Sequence, residues 1–411
     1  MAADQNLLQS LPYDVRREWP AEWEILPLLE GKGDSPTPGP ARYLHPGLEV
    51  RHVEGRGRGV VATQSIEAGT LLLLDTPIVT APSHDELLEA ILSRAKDDAY
   101  FRRQLLSMQG DPSDEAARAS PEAPLSASLV RNVLRHNYHA VERPPVDGEL
   151  ISSSDNALVG LWPLGSIVNH ALHPNVTRSF AGHAACYRLI RAINAGDEVL
   201  DNYLDLRLPH SQRQEMMRAN HSMDDVGPDA FDASASVVAK ILAAYDKVGK
   251  KLEKKKVAVQ QSALMQLAKI SNACSDTGKN DPAFADIFKD FAILAGQLGD
   301  ANMCLEGLAK AVEMATAREP FNVISYLLTL RMVHMACLAH SEIRGEIRDD
   351  LEALAREHFR MVFGSYPGAF EALNPQLTKQ LASLKEGDSA VEGDESKRRK
   401  LSESSSDVKT E

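Results

Sequence analysis

Three separated segments of the sequence concentrate residues that can bind a polar ligand. The first is the Gly- and Arg-rich run 55–62, the second is 160–175 with Asn169 and His170, and the third is 196–205 with Tyr203. Glycine lets a backbone pass close to a ligand, and Asn, His and Tyr side chains donate and accept hydrogen bonds. The first run lacks the lysine and the strand–loop–helix setting of a phosphate-binding loop, which argues against nucleotide binding of that kind. Each segment alone is ambiguous.

Taken in this order, with helical residues between the first and second, the segments resemble the SET-domain protein lysine methyltransferases, most closely the SMYD branch. Residues 55–62 (GRGRGVVA) resemble the family's opening hairpin. Asn169-His170, followed by Pro-Asn, resembles its cofactor motif, and 196–205 resembles its closing knot with the catalytic tyrosine. The resemblance covers about 48–221. It implies S-adenosylmethionine-dependent methyl transfer to lysine side chains of a protein substrate, histone or non-histone.

The resemblance also implies residue roles. Tyr203 is the expected catalytic residue, orienting the amine and the methyl group through its hydroxyl; the alternative is a core tyrosine that closes the knot. Either Arg56 or Arg58 would pair with the cofactor's carboxylate. His221 stands where the family has a Tyr-x-Phe pair, so it is expected in the substrate channel. The expected cofactor-binding residues are Arg56, Gly57, Arg58, Gly59, Asn137, Ser166, Asn169 and His170.

A target lysine must be neutral before it can attack a methyl group. A free lysine has a pKa of about 10.4, so deprotonating it near neutral pH costs roughly 4 kcal/mol. Desolvation in a narrow apolar channel can supply that free energy, because burial disfavours the charged form. The sequence interpretation therefore includes an apolar channel beside Tyr203.

The sequence lacks the zinc modules of the family. Its four cysteines, at 186, 274, 304 and 337, are isolated, so we expect neither a metal nor disulfides. Without a cysteine-rich module after residue 221, either 216–221 and the first C-terminal helix (Val237, Val238, Ile241, Tyr245) close the channel, or the protein is a non-catalytic interaction scaffold. The first alternative predicts that truncation at Asp229 leaves a soluble but inactive domain.

The pattern of elements predicts an α+β protein. Residues 1–43 are expected to form an N-terminal segment and loop, and 44–223 a β-rich SET domain with a helical insert at about 84–140. Residues 232–384 carry helical periodicity and resemble tetratricopeptide hairpins, although the consensus repeat does not fit. The Ser- and charge-rich stretch 385–411 is predicted to be a disordered tail.

Composition limits the partners. The 411 residues include 58 Asp and Glu against 45 Lys and Arg, a net charge of −13 that argues against broad binding to nucleic acid or anionic membranes. The sequence shows neither a leader-like start nor a membrane-length apolar run, which favours the nucleus and/or the cytoplasm. The basic cluster 397–400 is either a nuclear-import signal or a solvated charge block. The C-terminal helices are expected to bind a protein partner.

Overall fold

The computed structural model describes residues 7–19, 25–29, 41–110, 124–141, 158–205, 207–221, 229–252, 256–339, 343 and 345–385. The basic cluster 397–400 and the predicted tail beyond residue 385 lie outside the described residues. The element order confirms the predicted fold class: strands dominate the N-terminal half, and helices form the C-terminal half.

Short strands build the N-terminal half. One antiparallel sheet has the order β1-β4-β10-β9, a second has the order β5-β7-β6, β2 and β3 form a hairpin, and β8 pairs with β11 in parallel. The turn of the hairpin contains Gly55 and Gly57 at positive φ, a conformation that favours glycine. The strands are β1 (Arg42–Leu44), β2 (Leu48–Val53), β3 (Gly57–Ala62), β4 (Leu71–Asp75), β5 (Val79–Ala81), β6 (Tyr138–Ala140), β7 (Val159–Leu161), β8 (Asn169–His170), β9 (Val176–Ala181), β10 (Ala184–Leu189) and β11 (Leu200–Asp201).

A helical insert lies between β5 and β6. Ser83, Asp98 and Ser126 cap its helices by accepting hydrogen bonds from backbone N–H groups in the first turn. The insert is shorter than expected at its C-terminal end, because residues 138–140 form β6 and pair with β7. The described helices up to this point are α1 (Leu26–Leu29), α2 (His84–Arg94), α3 (Ala99–Leu106) and α4 (Ala127–Asn137).

The N-terminal segment packs on the β-rich half instead of forming a separate piece. Leu11 and Tyr13 are buried in the core of that half, and Ile25 and Leu28 are buried in a second core. Backbone hydrogen bonds join Arg16 to the first strand. The expected boundary near residue 44 therefore cuts through a packed unit, because these apolar side chains cover the sheet.

The C-terminal half is a series of antiparallel helices. None of the described helices is both long and apolar enough to cross a membrane. The helices are α5 (His210–His221), α6 (Ala235–Leu252), α7 (Val257–Ser275), α8 (Ala285–Gln297), α9 (Ala301–Ala315), α10 (Val323–Leu338), α11 (Gly345–Phe363), α12 (Ala369–Leu373) and α13 (375–385).

One hydrophobic core is shared by the two halves. Leu74 and Cys186 of the sheet lie in the same buried cluster as Tyr326, Phe359 and Phe370 of the helices. The edge strand β9 is held at this junction by Ser179, whose Oγ donates to the backbone oxygen of Val362 at 2.9 Å. The sheet and the C-terminal helices therefore form one packed body.

A buried ion pair fixes the sheet to the turn that carries Ser166. Arg42 Nε lies 2.9 Å from Asp75 Oδ1, and both side chains are almost fully buried. Asp75 Oδ2 accepts hydrogen bonds from the backbone N–H groups of Leu164 and Gly165, at 2.7 and 3.1 Å. Burial raises the pKa of Asp75 to about 6, against the opposing effect of Arg42.

This raised pKa predicts a pH dependence of stability. The folded protein binds the Asp75 proton more tightly than the unfolded chain does, so the contribution of this group to the free energy of unfolding is complete below about pH 4 and is lost as pH rises through about 6. We expect Asp75→Asn to flatten the slope of unfolding free energy between these pH values, as measured by urea denaturation. The exposed Asp97→Asn is the control, and a wild-type slope in Asp75→Asn would contradict the assignment.

Candidate functional site

The parallel pair β8–β11 brings two distant segments together around Tyr203. Leu200 and Asp201 pair with Asn169 and His170, and Tyr203 lies two residues after Asp201. The Tyr203 backbone N–H donates to His170 Nδ1 at 3.1 Å, and the two rings lie 5.2 Å apart. This strand pairing places the second and third sequence segments, 160–175 and 196–205, within one site.

The Tyr203 hydroxyl is a hydrogen-bonding group and not a base. It donates to the backbone oxygen of Val168 at 2.7 Å. Burial, and then the negative charge of Asp201, raise the pKa of Tyr203 above its usual value. The hydroxyl therefore keeps its proton at physiological pH, and its lone pairs can accept a hydrogen bond from a ligand.

His170 presents a buried donor next to this tyrosine. Because its Nδ1 accepts from Tyr203, the ring proton lies on Nε2. Burial lowers the pKa of His170 to about 4, so the ring is neutral at physiological pH. Nε2 is buried and has no hydrogen-bond partner in the described part of the protein. A buried polar atom without a partner is costly, and a ligand acceptor would satisfy it.

Asn169 joins the first segment to the third. Its Nδ2 donates to the Arg58 backbone oxygen at 3.0 Å and to Glu198 Oε1 at 2.6 Å. Gly59 packs against the same groups, since a Cβ at this position would lie 2.6 Å from Glu198 Oε1 and 3.0 Å from Asn169 Nδ2. Glycine is therefore required by this contact, and β3 is held close to β8.

The two arginines of the hairpin have different partners. Arg58 donates to the backbone oxygen of Ser107 in the insert. Arg56 makes two longer contacts, 3.3 Å to the His170 backbone oxygen and 3.4 Å to Glu198 Oε2, and it is 41% exposed. Arg56 is thus the arginine with the looser contacts and the greater freedom to turn toward a ligand.

A cavity of about 160 Å³ adjoins Tyr203. Ser166 and His221 line it together with Tyr203, so three of the predicted residues meet here. The His221 ring lies 4.8 Å from the Tyr203 ring. This cavity does not have the apolar character predicted for the channel, because most of its lining is polar or charged: Arg135, His136, His139, Ser166, Arg178, Asp201, Asn220 and His221.

Burial, and then positive charges around this cavity, lower the pKa values of the His221 and His139 imidazoles. Burial, and then the neighbouring His136 and Arg135, lower the pKa of His221 to about 4. Burial, and then Arg178, lower the pKa of His139 well below its usual value. Arg178 is itself paired with Asp201, whose pKa is raised by burial. Two guanidinium groups thus face one carboxylate in the cavity.

A second cavity, of about 280 Å³, lies where Tyr203 approaches the C-terminal helices. It shares Arg178, Asp201, Tyr203 and Leu204 with the first cavity. Asn322 and Val323, at the start of α10, line its other side. Tyr203 therefore has a cavity toward the insert and another toward the helical half.

Asn137 is not brought into the site. It is buried at the end of α4, where its Nδ2 donates to the backbone oxygens of Gln109 and Val133, at 2.7 and 2.6 Å. It lines neither cavity. In this structure the Asn137 amide nitrogen supports the insert, while its Oδ1 is buried without a hydrogen-bond partner in the described part of the protein, so its contact with a cofactor stays a prediction.

Only part of the wall predicted for the channel lines the first cavity. Met216, Asn220 and His221 of α5 line it, as expected for 216–221. Val238 and Ile241 of α6 instead lie in the core of the helical half. The apolar stripe of α6 is used for helix packing, because α6 pairs with α7, and it does not reach the cavity.

The described residues contain no group of three or more His, Cys, Asp or Glu side chains placed to hold a metal ion. All four cysteines are buried and none is disulfide-bonded.

Several residues of the site were not predicted. Glu198 lies within the third segment, and its carboxylate joins Asn169 to Arg56, but its role depends on the hairpin packing above it. Arg178 and Asp201 come from β9 and β11, and nothing in the spacing of their sequence neighbours indicates that they pair.

Comparison with known proteins gives a local match. The SET domain family matches residues 57–204. The chain is 24% identical over 172 residues to histone-lysine N-methyltransferase set5 of Schizosaccharomyces pombe, a match that covers 41% of this chain and 46% of the relative. It is 33% identical over 66 residues to mouse histone-lysine N-methyltransferase SMYD3, covering 16% of this chain and 15% of the relative.

The matches to these curated relatives span less than half of their length. Among solved structures, the SET domain of LSMT bound to lysine and AdoHcy aligns with 82% of this chain and 90% of that chain. Its sequence identity is 14% and the TM-score is 0.29.

Proposed function

We propose, from the premise that residues 57–204 form a SET domain, that this protein transfers a methyl group from S-adenosylmethionine to lysine side chains of a protein substrate. The observation that carries the proposal is the parallel pairing of β8 and β11, which brings the Asn169-His170 motif next to Tyr203 at a cavity. The family match covers residues 57–204, and the Tyr203 hydroxyl lies beside the cavity, where it could align a substrate amine.

The residues around His170 fit a cofactor. When bound, S-adenosylmethionine supplies a methyl group on a sulfonium. The unpartnered His170 Nε2 offers a buried donor to it, and Arg56 offers a guanidinium for a carboxylate. Gly57, at positive φ, leaves open space where a Cβ would lie. These groups would bind and orient the cofactor beside Tyr203.

The cavity offers a reason for the target amine to be neutral. The charges of Arg135 and Arg178 that help to hold His221 and His139 neutral also disfavour an ammonium group in the same space. Burial is the larger cause of both pKa shifts, so desolvation and these charges act in the same direction on an amine in this space. The amine would lose its proton to solvent on entry.

Tyr203 would align the neutral amine. Because its proton is donated to the Val168 backbone oxygen, the hydroxyl oxygen can accept an N–H bond of the amine. That contact would point the nitrogen lone pair at the methyl carbon. Held in this way by Tyr203, the amine would receive the methyl group that the bound cofactor would supply.

The same proposal also covers the family branch, the role of the C-terminal helices and the location of the protein. The short match to mouse SMYD3 supports the SMYD-like branch, and the paired helices α6 to α11 support a tetratricopeptide-like region that binds a protein partner. We also propose a nuclear and/or cytoplasmic location. The net negative charge supports a protein substrate over nucleic acid.

The test is methyl transfer itself. Purified protein is incubated with tritiated S-adenosylmethionine and a cell lysate or histones, and labelled proteins are hydrolysed to identify methyllysine. We expect label in methyllysine. Binding of S-adenosylmethionine in titration calorimetry without label in any protein would instead support the non-catalytic scaffold, and absence of both would contradict the proposal.

A further inference from the structure

A cluster of buried charges lies where the β-rich half meets the helical half. It consists of Arg213 on α5, Asp229 and Asp232 before α6, and Arg318 between α9 and α10, and we call it the ion-pair clasp. Arg213 Nη2 donates to both oxygens of Asp232, at 2.8 and 3.0 Å. Arg318 donates to Asp229 Oδ2 at 2.7 Å and to Asp232 Oδ1 at 2.7 Å. Both arginine side chains are 0% exposed.

Asp229 connects this cluster to the loop that follows β8, the strand that pairs with β11 next to Tyr203. His173, in the loop between β8 and β9, places its Nε2 3.2 Å from Asp229 Oδ2. Asp229 Oδ1 also accepts from the backbone N–H groups of Phe231 and Asp232. Burial opposes ionisation of Asp229, but Arg318 and these N–H groups outweigh it and lower the pKa to about 2. The carboxylate is therefore ionised and holds three parts of the chain.

Helix α5 depends on this cluster because it has little apolar packing. The buried side chains of α5 are Arg213 and Met217. Met217 belongs to a small cluster with Leu204 and Leu172. The opposite end of α5 carries His221, whose ring packs on Tyr203. The apolar packing of this wall of the cavity is therefore small, and the ion pairs of Arg213 add to the ring contacts of His221 in holding it.

We propose that the ion-pair clasp positions α5, and with it His221, against Tyr203, so that Arg318 of the helical half completes the site. The two aspartates and Arg318 of the clasp follow His221 in the chain, where the zinc module expected from the resemblance is lacking. A buried ion pair that loses one partner leaves an uncompensated charge, so the arrangement is strongly specified. The effect on turnover rests on the proposed function, whereas the effect on α5 does not.

The experiment compares Arg318→Met with Arg356→Met. Arg356 is the matched control, because it pairs with Glu352 and Glu371 within α11 and α12 and has no contact with α5. Trypsin cleavage at Arg213 and Arg218 reports local opening of α5. Turnover is normalised to the fraction of protein that binds S-adenosylmethionine, so that misfolded protein does not count.

We expect Arg318→Met to be cleaved in α5 faster than wild type, and its kcat to fall by about tenfold to a hundredfold. Arg356→Met should resemble wild type in both respects, and Arg318→Lys should recover part of the loss. If Arg318→Met does not fold, Asp229→Asn decides, since Asp232 still pairs with Arg318 there.

The outcomes separate the two proposals. If wild-type protein transfers no methyl group, the proposed function is contradicted. Trypsin cleavage within α5 of the Arg318→Met variant would still test the ion-pair clasp. Folded Arg318→Met and Asp229→Asn variants that resist trypsin in α5 and turn over at the wild-type rate would overturn the clasp.

Discussion

Tyr203→Phe is expected to reduce methyl transfer by about a hundredfold or more, because it removes the hydroxyl proposed to align the amine. The fold should persist, since the ring remains between His170 and His221 and only a hydrogen bond to the Val168 backbone oxygen is lost. That bond contributes on the order of 1 kcal/mol. The assay is transfer of tritiated methyl groups, with cofactor affinity measured separately by calorimetry.

The matched control for Tyr203→Phe is Tyr245→Phe. Tyr245 donates to Asp290 Oδ2 at 2.6 Å between α6 and α8, so the substitution removes an equally bonded hydroxyl away from both cavities. We expect Tyr245→Phe to retain turnover. Wild-type transfer by Tyr203→Phe would remove this residue from the catalytic role, whatever the effect on cofactor binding.

A chain that ends at Asp229 is expected to misfold and aggregate, which reverses the expectation from sequence that it stays soluble. Truncation uncovers Leu74, Ala184 and Cys186 on the sheet, and leaves the Ser179 hydroxyl without its partner. Each large apolar side chain uncovered costs about 1.5–3 kcal/mol, against a typical net stability of about 5–15 kcal/mol. Light scattering and circular dichroism of the purified fragment are the measurements.

A chain that ends at residue 385 is the control for this truncation. The residues of the shared core, including the partly buried Leu384 packed against it, lie before that point. We expect this longer chain to remain monodisperse with wild-type helical content. A fragment ending at Asp229 that is soluble, with a cooperative thermal transition, would show that the shared core is dispensable.

The sequence predicted the elements better than their long-range contacts. The hairpin of β2 and β3 and the helical C-terminal half follow from local patterns, and the structure confirms them. The meeting of Asn169 and His170 with Tyr203 came from the resemblance. Most of the assigned roles around that meeting point stay predictions, since geometry alone does not test them.

Contacts between charged residues far apart in the chain could not be predicted. Arg178 pairs with Asp201 across two strands, and Arg318 reaches Asp229 over 89 positions. A charged residue in a sequence is usually exposed, and only packing reveals that these are buried. The polar lining of the cavity and the ion-pair clasp both depend on such pairs, so neither could be predicted from local patterns in the sequence.

The shared core also has a consequence for biosynthesis. Ile25 and Leu28 near the start of the chain belong to the same buried cluster as residues as distant as Leu377 and Leu381. The ribosome must deliver the last of these residues before this cluster can be complete. Chains with such distant pairings fold slowly, and their incomplete forms expose apolar surface. We therefore expect the nascent protein to associate with chaperones until translation has passed residue 381.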